Sequence, residues 1–92
     1  MSYVLITADF PGITSEQRKK IYENLEKEKY VKVHEVGRDI DTVWYAKFDE
    51  VVSEKRCLEI AIGEFNECSK PFCKPKLVLL WGPNRPTFNN LE

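Results

Sequence analysis

The sequence predicts one α+β domain, a four-stranded antiparallel sheet with two helices on one of its faces. Three observations predict it. Runs of strand-like and helix-like periodicity follow one another in the order strand, helix, strand, strand, helix, strand. The chain has 92 residues, too few to divide into two pieces that each bury a stable core. Its 42% hydrophobic and 32% charged residues are the balance of an ordinary folded domain. The domain is expected over residues 1–82, with 83–92 as a flexible C-terminal tail whose last residues, Leu91-Glu92, read as a cloning scar.

The first strand is Tyr3-Val4-Leu5-Ile6-Thr7-Ala8, which hardly alternates and so reads as a central strand buried on both sides. Pro11-Gly12 ends it. Thr14-Ser15-Glu16-Gln17 has the spacing of a capping box and opens a helix to about Lys29, with a narrow apolar stripe of Gln17, Ile21 and Leu25 and Tyr22 beside it. Tyr30 to Val36 alternates, with Val31 and Val33 on one face and Tyr30, Lys32 and His34 on the other, as a half-exposed strand does. A turn at Gly37-Arg38-Asp39-Ile40-Asp41 leads into a strand from Thr42 to Phe48, completing a hairpin. Ser53 caps a second helix to about Cys68, in which Cys57, Leu58, Ala61, Ile62, Phe65 and Cys68 recur at helical spacing. Pro71 ends that helix, Lys76 to Trp81 is the last strand, and Gly82-Pro83 breaks it. This order, βαββαβ, is the ferredoxin-like arrangement.

Charge and cysteine content narrow the function classes. The net charge is −1, so there is no global positive field to hold nucleic acid, and any such site is a local patch. No segment has the roughly 18 consecutive apolar residues of a membrane span, so no membrane association is expected. Met1-Ser2 leads directly into the first apolar run, without the basic start of a leader, and the three cysteines lack the dense even pattern of a secreted framework. A cytoplasmic protein with reduced thiols is expected. Cys57 and Cys68 lie eleven residues apart on one predicted helix. That is about 16 Å along its axis, too far to share a zinc ion.

Asp9 is the first candidate for chemistry. A carboxylate at the end of a central strand stands at the rim of the sheet, where it can ligate a divalent metal, accept a proton, or cap the following turn. The turn role is the plainer of these. The stretch from Tyr3-Val4 to Asp9-Phe10-Pro11 resembles the opening strand of the GhoS family of endoribonuclease antitoxins, and also that of the small CRISPR adaptation nucleases. Both families have the ferredoxin-like fold. The resemblance covers about nine residues plus the order of elements, and implies a small, often dimeric protein that binds or cuts single-stranded RNA, with Asp9 as catalytic residue or metal ligand. No cofactor other than such a metal is expected.

The remaining candidates are basic or aromatic. Arg18-Lys19-Lys20 lies near the start of the first helix, where backbone N–H groups favour a phosphate, although Lys19 and Glu23 also make an ordinary surface pair. Lys70, Lys74, Lys76 and Arg85 form a second basic stretch with no acidic residue between them. In the Thr42–Phe48 strand, alternation assigns Trp44, Ala46 and Phe48 to the core face, leaving Tyr45 and Lys47 as a candidate base-stacking and phosphate-contact pair. His34 is the sole histidine, which excludes a two-histidine acid–base pair, and it is a catalytic candidate only if it lies near the basic cluster.

Two readings therefore compete. In one, the protein binds and cuts single-stranded RNA through Asp9, Arg18, Lys19, Lys20 and Tyr45. In the other it is a non-catalytic module that binds another protein through the open sheet face or an edge strand. A homodimer is compatible with both, with Tyr3, Tyr45 and Trp81 expected on the open face to meet a second copy.

Overall fold

The computed structural model describes residues 1–33 and 43–87. The elements are β1 (Ser2–Asp9), α1 (Ser15–Lys27), β2 (Val31–Lys32), β3 (Val43–Phe48), α2 (Glu54–Ser69) and β4 (Lys76–Gly82). All strand pairs are antiparallel and the sheet order is β2-β3-β1-β4. This is the α+β fold expected from the order of elements, in the ferredoxin-like βαββαβ arrangement. The predicted turn at 37–41 lies outside the described residues.

Local signals set the element ends. The Thr14 hydroxyl accepts from the Gln17 backbone N–H at 3.1 Å, and the Gln17 side chain accepts from the Thr14 N–H at 3.0 Å, a complete capping box. Gly12 sits at φ +70°, the value a type II turn requires after a proline. Before it, Phe10 is buried in the core, with its ring edge-on to Tyr22 at 6.2 Å. Strand alternation thus carries one residue past β1 and anchors the turn from below. The first helix stops at Lys27 rather than Lys29, because Lys29 turns to φ 68° and Tyr30 N–H bonds back to the Leu25 carbonyl at 3.1 Å.

The core lies between one sheet face and both helices. Val4, Ile6, Ala8, Trp44 and Ala46 meet Ile21 and Leu25 of α1 and Cys57, Ala61, Phe65 and Cys68 of α2. Phe65 packs edge-on against Tyr30 at 4.9 Å and Trp44 at 6.4 Å.

Three face assignments differ from expectation. β1 is central but buried on one face only, since Thr7 and Asp9 are exposed on the other. In β2 the aromatic and basic residues face the helices: Lys32 pairs with Trp44, its Nζ lies 4.4 Å from the centre of the Tyr22 ring, and Tyr30 joins the core, whereas Val31 is exposed. Trp81, expected on the open face, pairs with Val4 and packs on the helix side. Directly opposed residues on neighbouring strands share a face, so register with β3 and β1 decides these positions. Among the described residues no helix is long and apolar enough to cross a membrane.

Candidate interaction surface

The strand registers line up the open face in rows across the sheet. Val33, Val43, Thr7 and Val78 form one row, Val31, Tyr45, Leu5 and Leu80 the next, and Lys47, Tyr3 and Gly82 the third. Most of these side chains are apolar, and no helix covers them among the described residues. At the β4 side the exposure is large: Val78 is 70% and Leu80 68% exposed. Single exposed apolar residues are ordinary, but adjacent ones on an edge strand make a patch.

The segment after β4 returns over the same face. The Arg85 guanidinium donates to the Tyr45 hydroxyl at 3.2 Å and lies over its ring, and Tyr45 is only 9% exposed. Asn84, Pro86 and Thr87, with Tyr3, Leu5 and Leu80, line a shallow cavity of about 180 Å³. Residues 83–87 of the expected flexible tail therefore lie against the sheet, where two prolines restrict the backbone and Arg85 supplies the contact.

The residues proposed for RNA do not converge. Arg18, Lys19 and Lys20 are on α1, on the helix side, whereas Tyr45 and Lys47 are on the opposite face of the sheet. Tyr45 is covered rather than presented for stacking. Lys47 pairs with Tyr3, six residues along β1 from Asp9, or about 20 Å at strand spacing. His34 lies outside the described residues.

Asp9 is exposed, opposite Lys76 of β4, and among the described residues its carboxylate forms no ion pair and accepts no hydrogen bond to support the turn role. No group of three or more His, Cys, Asp or Glu that could hold a metal is present among the described residues. Asp9 and Arg18 act on Cys73 in opposite directions: burial raises its thiol pKa, the Asp9 carboxylate raises it further, and Arg18 lowers it.

A separate groove of about 450 Å³ runs beside α2, lined by Glu28, Arg56, Glu59, Gly63, Glu64, Glu67 and Cys68 among others. Burial, then a hydrogen bond shared with the Glu28 carboxylate, raises the Glu64 pKa, while the Tyr30 hydroxyl, donating to Glu64 Oε1 at 3.1 Å, pulls it down. Burial also pushes the Cys68 thiol up to about 11, helped by Glu28, Glu64 and Glu67, so it is protonated at neutral pH. Such a thiol is a core residue, not a nucleophile.

These features define a sandwich of one sheet and two helices with an apolar open face and an exposed apolar edge strand. Compared with protein-family models, curated proteins and solved structures, the chain has no match. The residues missed in the sequence are Val78 and Leu80. Their signal was available, because the ferredoxin-like order places the fourth strand at an edge, and alternation from Lys76 puts Val78 and Leu80 on the face away from the helices.

Proposed function

We propose that the protein is a non-catalytic interaction module that binds another protein through the open sheet face and the neighbouring edge strand β4. The exposure of Val78 and Leu80 on an edge strand that no other strand covers among the described residues carries this reading. The division of the basic and aromatic candidates between the two sides of the sheet favours it over RNA binding.

The test compares the wild-type chain with a Val78→Lys/Leu80→Lys variant as bait in extracts of its own cells. Any protein retained by the wild type alone is then purified and its binding reconstituted. The expected complex survives high salt, because its contacts are mainly apolar, and is lost in the variant. An RNA pool is titrated in parallel. Salt-sensitive RNA binding or cleavage that depends on Arg18, Lys19, Lys20 or Asp9, with no reconstituted protein complex, would replace this reading with the ribonuclease one.

A further inference from the structure

We propose that the occupant of this surface is an extended segment of a partner protein that adds to the outer edge of β4 as a fifth strand, carrying carboxylates at the end next to Lys76. This rests on the interaction-module reading and specifies its partner.

β4 is an edge strand of the sheet and runs for seven residues. No strand pairs with the outer side of β4 among the described residues. Within β4 the only charge is Lys76, and there is no proline or bulge. An extended segment therefore finds alternate N–H and C=O groups ready for a ladder. Pro75 and Pro83, which lack an N–H, bracket the strand and limit the added ladder to about its seven residues.

Both faces of β4 call for apolar neighbours. Leu77, Leu79 and Trp81 are only partly buried on the helix side, and Val78 and Leu80 are exposed on the other. A fifth strand covers both sets at once, so its side chains are apolar on both faces.

Charge selects the rest. Residues 68–87 contain no acidic side chain, and Lys70, Lys74 and Lys76 are exposed where the chain enters β4. The nearby acids are Asp9, across from Lys76, and Glu67, one turn before Lys70, so the corner keeps an excess of positive charge. A second copy pairing antiparallel through the same strand sets its Gly82 end against Lys76, and its residues 68–87 bring no carboxylate to that corner. A partner segment with carboxylates there gains attraction instead.

The test is selection from a displayed library of random segments of about ten residues on the full chain, followed by titration of the best synthetic peptide. The expected sequences are rich in β-branched or aromatic residues, with Asp or Glu at one end. Their binding falls about tenfold in Lys74→Glu/Lys76→Glu and recovers when the peptide's carboxylates are replaced by lysines. Bound peptide slows amide exchange within 76–82, and circular dichroism confirms that each variant is folded. Peptides without carboxylates, or indifference to the lysine reversal, overturn the proposal; if Val78→Lys/Leu80→Lys still abolishes binding, the interaction surface itself stands. Failure to enrich any segment overturns the proposal as well, and the reconstitution described above then decides the broader reading alone.

Discussion

Arg85 holds Tyr45 from above: its guanidinium donates to the phenol oxygen at 3.2 Å and its centre lies 5.8 Å from that of the ring. A residue beyond the last strand thereby covers the aromatic side chain in the middle of the open face. The exposed apolar side chains lie at the β4 side, at Val78 and Leu80.

This contact is measurable as a coupling. In a double-mutant cycle of Arg85→Ala and Tyr45→Phe, followed by urea unfolding, a coupling of about 0.5–1 kcal/mol is expected from the hydrogen bond and ring contact. Strictly additive effects would show that the two side chains do not act together.

At Gly12 only the backbone matters, since an added Cβ would meet no atom within 4 Å. Gly12→Ala is expected to cost about 1 kcal/mol through its φ of +70°, and Gly12→Asn less, because Asn tolerates the left-handed region. Denaturant midpoints of the two variants check the order. A smaller loss for alanine than for asparagine would argue against a left-handed turn.

Phe65 ties α2 to the sheet. It is fully buried against Tyr30 and Trp44, so Phe65→Ala is expected to cost about 3–5 kcal/mol, a large part of a small domain's stability. Val51→Ala, at an exposed position, is expected to change stability by less than about 0.5 kcal/mol. Equal losses in the two variants, read from urea curves, would contradict this packing.

The Glu64 carboxyl makes stability depend on pH. Its folded-state pKa is raised, by burial first and then by the hydrogen bond with Glu28, so the folded chain binds this proton more tightly than the unfolded one. Its stabilising contribution is complete below the usual carboxylate pKa and is lost as pH rises through the raised folded value. In Glu64→Gln the side chain still accepts from Tyr30 and can donate to Glu28 at every pH. The variant is expected to match wild type in acid and exceed its stability at neutral pH. Unfolding midpoints across that range test this, and a constant difference between the two proteins would refute it.

Local patterns were legible because neighbouring residues alone set them. Thr14 and Gln17 announced a capping box at the observed place, and Cys57, Ala61, Phe65 and Cys68 marked the buried stripe of α2. Alternation likewise placed Trp44 and Ala46 in the core. What was not legible was the side of the sheet on which a pattern lands. Val31 was a natural core residue by polarity, yet Tyr30 and Lys32 took the helix side, where Tyr30 meets Phe65 and Lys32 meets the Tyr22 ring.

The site candidates failed to converge for the same reason. Arg18 to Lys20 and the Tyr45–Lys47 pair each read sensibly as short stretches, but the sheet runs between them. By itself the sequence determined the order and length of most elements and the residues that cap and punctuate them, since these depend on interactions across a few positions. Only the tertiary structure decided that Arg85 covers Tyr45 and that Trp81 turns to the helices. Those outcomes depend on strand register and on the face the helices occupy, and both are set by contacts between residues far apart in the chain.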